Sequence, residues 1–294
     1  MLKPLVVVTG KNGQLGWELQ QQSVHANAYE FLFIDSDDLD LAQPATIPAF
    51  FEKHKPSFFI SCAAYTAVDK AETEKELAYT INATSPRVIA EQCAQCGCTL
   101  IQVSTDYVFN GNGTEPYRAD AATEPVNYYG FTKAEGEKHA LAANPGTIII
   151  RTSWLYSSHG NNFVKTMLRL MKERTGIKVV NDQLGSPTYA ADLAELIITI
   201  IDSVNSGNAV KNSIYQFSNA GVISWFDFAT AIRDDANLPC EILPIPSSAY
   251  PTPAKRPAYS VMDTGAVSKD FGIQLKDWRT SLRKCLQLLA ESKG

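Results

Sequence analysis

The sequence has no run approaching the ~20 consecutive apolar residues that a membrane-crossing helix needs, and it has no lysine- or arginine-rich block. With 26 basic against 31 acidic side chains and a formal charge of −5, it lacks the footprint of a nucleic-acid binder or of a polybasic membrane patch. The opening Met1-Leu2-Lys3-Pro4 runs straight into a strand-like apolar segment without a signal-peptide pattern, which points to the cytoplasm. Histidine is scarce, and His25, His54, His139 and His159 are scattered without ligand spacing. Of the six cysteines, Cys62, Cys240 and Cys285 stand alone, while Cys93-x-x-Cys96-x-Cys98 has no second pair or His-x3-His partner; no zinc or redox centre is expected. Internal repeats and low-complexity linkers are missing too.

What remains is the material of a globular core: 294 residues, 45% of them hydrophobic, enough for one large domain or one plus a smaller one. Short, nearly continuous apolar runs at 5–8, 31–34, 58–60, 100–103 and 148–150 read as strands covered on both faces. Between them, 13–22, 45–54, 74–96 and 129–142 read as helices. This βαβαβ order predicts an α/β, Rossmann-type doubly wound parallel sheet with right-handed crossovers over residues 1–155. Beyond that, helices at 163–173, 190–202, 225–235 and 277–290 are separated by loops rich in Pro, Ser and Asn. Residues 156–294 are therefore read as a smaller, mainly substrate-binding lobe with segments returning to the core. The stretch 244–257 carries five prolines, which excludes a regular helix or a central strand.

The first strand ends in Gly10-Lys11-Asn12-Gly13-Gln14-Leu15-Gly16. Glycines at its first, fourth and seventh positions let the backbone turn sharply, approach a pyrophosphate and pack the next helix on the sheet, with the helix N-terminus facing the anion. The spacing is Gly-x-x-Gly-x-x-Gly, a variant of the commoner Gly-x-Gly-x-x-Gly. Asp35 ends the second strand where an acid accepts hydrogen bonds from an adenosine ribose, which favours NAD; Lys11 could instead meet a 2′-phosphate, so cofactor choice stays open. A solvated strand-end acid beside Asp37 and Asp38 is the plainer account of Asp35. Asp40 and Leu41 lie near enough to touch an adenine in such folds. After the third strand, Ala63, Ala64 and Tyr65 follow small residues that suit a cofactor lying across the strand end, or simply tight packing.

The fourth strand runs into Ser104-Thr105-Asp106-Tyr107, so the Ser104 and Thr105 hydroxyls open into the crevice where doubly wound sheets bind ligands. Tyr129 and Lys133 follow, one turn apart on one helical face. A phenol with an ordinary pKa of about 10 is a poor proton donor at neutral pH, and a nearby ammonium lowers that value. The pair alone is common on surface helices.

Together, the glycine pattern, the Ser-Thr-Asp strand end and Tyr129-x-x-x-Lys133 resemble the extended short-chain dehydrogenase/reductases. Ala67-Val68-Asp69-Lys70-Ala71-Glu72, Arg151-Thr152-Ser153-Trp154-Leu155-Tyr156, Asn161-Asn162-Phe163 and Tyr250-Pro251-Thr252-Pro253-Ala254-Lys255-Arg256-Pro257 narrow the resemblance to the dTDP-4-dehydrorhamnose reductase family, over essentially the whole chain. That resemblance implies reduction of the C4 ketone of dTDP-4-dehydro-L-rhamnose with NADPH, or with NADH, in a pathway feeding carbohydrate such as lipopolysaccharide O-antigen. It implies that Tyr129 protonates the forming alkoxide. Lys133 would depress the Tyr129 pKa and hold the nicotinamide ribose, and Thr105 would bond the carbonyl oxygen. It implies further that Trp154 packs on the sugar and Arg256 grips the diphosphate, against the plainer readings of a core tryptophan and a solvated loop arginine. Some family members bind Mg2+ between subunits through glutamates. Glu18 and Glu291 could belong to such a set, but 187–192 offers Ala where a glutamate is needed, so magnesium is at most a minor option and a homodimer stays open. Two other readings are a dinucleotide-binding regulatory subunit like that of methionine adenosyltransferase, disfavoured by intact Thr105, Tyr129 and Lys133, and a nucleotide-sugar epimerase or dehydratase. Dehydratases add an acidic pair next to the Thr, whereas here Asp106 is followed by Tyr107.

Overall fold

The computed structural model describes residues 3–291, leaving Met1, Leu2 and 292–294, and the part of the N-terminal reading that rests on them, outside the description. Five strands follow one another as expected: β1 (Leu5–Thr9), β2 (Glu30–Ile34), β3 (Phe58–Ser61), β4 (Thr99–Thr105) and β5 (Ile148–Thr152). A sixth, Ile214–Phe217, was not foreseen; it adds to β5 in parallel, with Tyr215 opposite Ile150. The sheet is wholly parallel, in the order Ile214–Phe217, β5, β4, β3, β1, β2. The direction of winding reverses between β1 and β3, which creates a crevice at the carboxyl ends of those strands.

Alternation along each strand explains its near-continuous apolar character. Val6, Val8, Phe58, Ile60, Ile101, Ile148 and Ile150 point to one core, shared with Leu15 and Leu19 of the first helix and with Leu193, Ile197 and Ile200. Val7, Ile34, Phe59 and Leu100 point to the other, covered by Phe50, Phe51 and Ile89. Both faces are roofed by helices, which is why the strands are apolar at nearly every position.

Residues after 156 divide between two cores. The helix Ala190–Asn205, the strand Ile214–Phe217 and Val267 pack on the sheet. Tyr156, Val164, Met171, Ile177, Phe228, Ile242, Leu282 and Cys285 form a separate apolar cluster. Within it, Gly176–Val180 and Glu241–Ile245 pair in parallel as a two-stranded sheet, with Pro244 opposite Val179. A proline is tolerated there because it sits in a strand with a free side.

The helix expected over 74–96 forms from Lys75 to Cys96, with one break in its α-helical pattern. Lys75–Tyr79 and Ser85–Cys96 are joined by a π-helical turn, Thr80–Thr84. Asn82 in that turn explains the break: its amide accepts from the Tyr65 N–H at 2.8 Å and donates to the Tyr65 carbonyl and the Thr132 hydroxyl, each at 3.0 Å. The turn thus aims one side chain at the loop after β3 and at the helix Tyr128–Ala143 together.

Candidate active site

The glycine loop is a cradle with no room for side chains at its base. Gly10 has φ +73°, and a Cβ on Gly16 would lie 2.1 Å from the Gly10 carbonyl oxygen, so the first helix can press on the loop only with glycine there. That helix, Gln14–Ser23, starts at Gly13 with no side-chain cap, leaving its first-turn N–H groups to face an anion. The residues thus fit a dinucleotide diphosphate. Asn12 N–H donates to Asp35 Oδ2 at 3.1 Å, which joins the loop to the end of β2. Gln14 reaches the other way: its amide donates to the Leu155 carbonyl at 3.4 Å and accepts from Asn162 at 2.9 Å. Leu15 is a core residue, as is Leu41. Asp40 is occupied by its own turn, accepting from the Ala42 N–H and the Gln43 amide. Beyond β3, the Thr9 hydroxyl accepts from Cys62 and Ala63 N–H at 3.1 and 3.0 Å, bringing the small-residue segment against the glycine loop. Ala64 is half-buried beside it, and the Tyr65 hydroxyl donates to Glu74 at 2.6 Å.

Tyr129 and Lys133 lie on the helix Tyr128–Ala143, whose start is held from three sides. Asn127 caps it, accepting from Gly130 N–H at 2.8 Å, and its amide donates to the Lys255 carbonyl in the proline-rich segment at 2.8 Å. Glu72 accepts the Tyr128 N–H at 2.8 Å. One turn beyond Lys133, Glu137 makes a buried bidentate pair with Arg151 of β5, Nη2 to Oε2 at 2.7 Å, with the two side chains 4% and 2% exposed. Removing one partner of such a pair costs about 3–5 kcal/mol. The motif therefore sits on a helix pinned to the sheet.

Both groups are buried. Burial pushes the Tyr129 phenol above its ordinary range; the Thr105 hydroxyl pulls it back and Asp106 adds to the rise. Burial also pulls Lys133 down to about 8, against the opposing pull of Glu137 and Cys62. The Lys133 ammonium donates to the Val103 carbonyl of β4 at 2.7 Å, two residues before Thr105. The phenol is thus governed by burial, Thr105 and Asp106, whereas the sequence alone suggested that Lys133 would set it. Thr105 Oγ1 donates to Asp106 Oδ1 at 3.0 Å and accepts from Tyr107 N–H at 3.2 Å. Asp106 is a residue whose importance the sequence concealed: it is buried, and burial raises its carboxyl to about 6 although the Ser260 hydroxyl and the Thr105 hydroxyl, which donates to it, oppose the rise. The Ser104 hydroxyl is buried with no hydrogen-bond partner among the described residues. Its position beside Thr105 was legible as a hydroxyl pair, but the burial of Asp106 was not.

Trp154 stands at φ +48°, half-buried, and stacks on Trp225 with centroids 3.6 Å apart. Arg256 is neither solvated nor loose: it pairs with Asp69 at 2.9 Å and donates to the Ala254 carbonyl at 3.0 Å. Glu18 is buried and accepts from the Ser157 hydroxyl at 2.6 Å, while Glu291 is exposed at the end of the last helix. Among the described residues no group of three or more His, Cys, Asp or Glu side chains could hold a metal ion.

A parallel doubly wound sheet with a glycine-lined switch point, and a buried Thr, Tyr and Lys at its carboxyl edge, defines a dinucleotide-dependent oxidoreductase of the short-chain type. Comparison with known proteins narrows the class. The family profile described as RmlD substrate binding domain matches residues 4–291. A dTDP-4-dehydrorhamnose reductase from Aggregatibacter actinomycetemcomitans is 41% identical over 285 residues, which cover 95% of this chain and 97% of the relative. Two solved structures superpose closely. A dTDP-4-dehydrorhamnose reductase from Clostridium acetobutylicum gives a TM-score of 0.92 at 39% identity, covering 97% of this chain and 99% of that one. That of Bacillus anthracis, in complex with NADP, gives 0.91 at 39% identity over 98% and 100%. The chain belongs to the dTDP-4-dehydrorhamnose reductase family.

Proposed function

We propose that this chain reduces the C4 ketone of dTDP-4-dehydro-L-rhamnose to give dTDP-L-rhamnose. The reduced nicotinamide of NADPH or NADH supplies the hydride. The observation that carries the reading is the burial of Tyr129, Lys133 and Thr105 at one edge of the sheet beside a glycine loop, in a chain so similar to reductases of this substrate.

Tyr129 is the proton donor in this scheme. Its raised pKa keeps the phenol protonated across the neutral range, so the proton is present when the ketone oxygen becomes an alkoxide. Phenol and hydroxyl donors aimed at that oxygen stabilise the charge only as it develops. Thr105 has one hydroxyl hydrogen, already given to Asp106; it serves the carbonyl by exchanging that partner. Lys133 contributes a positive charge and holds the ribose of the nicotinamide. Gly10, Asn12, Gly13, Gln14, Leu15 and Gly16 shape the diphosphate site, with Asp35, Asp40 and Leu41 on the adenosine side and Ala63, Ala64 and Tyr65 along the middle. Ser104 and Trp154 face the sugar, and Arg256, stiffened by its proline-rich loop and by Asp69, takes the substrate diphosphate. In this scheme residues 1–155 bind the dinucleotide, and 156–294 mainly bind substrate.

The cytoplasm is the proposed location: no helix among the described residues is long and apolar enough to cross a membrane, and all six cysteines are free thiols. Incubation with dTDP-glucose, the upstream dehydratase and epimerase, and NADPH tests the reaction. It should consume NADPH and yield dTDP-L-rhamnose. Tyr129→Phe should lower turnover by ~10²-fold or more and leave dinucleotide affinity nearly unchanged; a Tyr129→Phe enzyme of normal rate would remove the phenol from the mechanism.

A further inference from the structure

We propose that Trp225 and Gly185 are positioning residues for the substrate sugar: they grip the Trp154 indole between them, so that it meets the sugar as a fixed wall, through its rim. The proposal rests on the reading that Trp154 faces the sugar, and adds what sets its orientation. Trp154 needs such support. Its backbone stands at φ +48°, a left-handed conformation that a bulky residue keeps only where its surroundings impose it.

One face of the indole lies on Trp225, with centroids 3.6 Å apart and planes 10° apart. Direct face-to-face overlap is the less favoured arrangement of two rings, so the frame around them holds it in place. Gly185 lies over the other face. A Cβ there would come within 2.6 Å of Trp154 Cε2, 2.7 Å of Cζ2 and 2.8 Å of Nε1, and these nearest atoms all belong to Trp154, none to Trp225. Such nearly equal distances put it above the ring rather than at the rim, on the side away from Trp225. Gly185 does not have a left-handed backbone, so glycine is needed there for space alone.

Both jaws come from one ribbon. Leu184–Gly185 and Ile223–Ser224 pair antiparallel, with Gly185 opposite Ile223, and Trp225 follows at the first position of the next helix. The Ser224 hydroxyl accepts the Asp227 N–H at 3.1 Å and the Asp227 carboxylate accepts the Ser224 N–H at 2.9 Å, a capping box that fixes how Trp225 leaves the strand. Phe163 backs Trp225, with centroids 4.6 Å apart. The loop that carries Trp154 is tied to the same ribbon, since the Ser153 hydroxyl donates to the carbonyl of Ser186, next to Gly185, at 2.7 Å. An indole gripped on both sides has no full face left for a sugar ring. It selects by shape at its rim.

Steady-state kinetics with the dTDP-sugar ketone, competitive inhibition by dTDP, which lacks the sugar, and titration with NADPH test the proposal on the intact chain. Trp225→Ala should raise KM about tenfold with kcat within about threefold of wild type, while inhibition by dTDP and NADPH binding hold. Trp225→Phe, which keeps a ring on that face, should restore KM to within about threefold. Gly185→Ala should raise KM like Trp225→Ala, because its methyl displaces the indole from the opposite side. The two milder variants carry the test if Trp225→Ala fails to fold. An unchanged KM in Trp225→Ala or Gly185→Ala, or an equal loss of dTDP and of the dTDP-sugar, overturns the clamp while the reductase reading stands. A wild-type chain that does not turn over the dTDP-sugar overturns that reading itself.

Discussion

Gly130→Ala puts one methyl group where the structure has no space for it. A Cβ on Gly130 would sit 2.1 Å from the Tyr107 carbonyl oxygen, 2.9 Å from its carbon and 3.1 Å from Pro125 Cβ. The nearest of these is backbone, and a real Cβ contact begins at about 3.0 Å, so the start of the helix must retreat by roughly 1 Å. That helix carries Tyr129 and Lys133, whereas Thr105 and Val103 belong to β4 and stay with the sheet. A misplacement of about 1 Å at a reacting group costs on the order of 10²-fold in rate. Overpacking costs about 1–3 kcal/mol of stability, offset by up to about 1 kcal/mol because alanine favours the helix. The expected result is a folded enzyme with kcat/KM down by about 10²-fold, a modestly lowered Tm and retained dinucleotide binding. Steady-state kinetics, nucleotide titration and calorimetry together read all three. Lys138→Ala, on the same helix with a side chain 73% exposed, is the control and should match wild type. A Gly130→Ala enzyme with kcat/KM within about threefold of wild type and an unchanged Tm would refute the claim that the helix is pinned against Tyr107.

Three other outcomes follow from the same geometry. With Lys133 at about 8 and Tyr129 pushed above its ordinary range, the ammonium is the first of the two to lose its proton as pH rises. The kcat/KM profile should therefore fall through an alkaline limb near 8, and a limb appearing only above the ordinary tyrosine range would show that Lys133 does not control it. Glu137→Gln leaves the Arg151 guanidinium buried with its charge uncompensated and should cost about 3–5 kcal/mol in denaturant unfolding; a loss below about 1 kcal/mol would mean the pair does not hold the helix to β5. Arg256→Ala should raise KM for the dTDP-sugar about tenfold or more while NADPH affinity holds, and equal loss of both ligands would place Arg256 outside the substrate diphosphate site.

Much of the sheet was legible because its strands are buried on both faces. Such strands leave short runs such as Leu5-Val6-Val7-Val8 that no exposed segment tolerates. The sixth strand, Ile214-Tyr215-Gln216-Phe217, lacked that signature: it carries a glutamine whose amide donates to the Tyr117 and Asp263 carbonyls, partners far away in sequence. The helix expected over 74–96 forms, but its π-turn was not legible for a similar reason, since that turn aims Asn82 at Tyr65 and Thr132.

The sequence by itself determined the parallel doubly wound class and the glycine cradle, and it singled out Thr105, Tyr129 and Lys133 as the candidate site, because each depends on local spacing and on steric limits that only certain residues meet. Tertiary structure decided what those groups are electrically. Burial, a property of the whole fold, raises Tyr129, lowers Lys133 and lifts Asp106, and no local pattern reports it. It also chose the partners: Asp69 for Arg256, Asp38 for Lys11, Asp106 for Thr105 and Arg151 for Glu137. Three of those four pairs join residues well apart in the chain, and even neighbouring Thr105 and Asp106 owe the character of their bond to the burial around them.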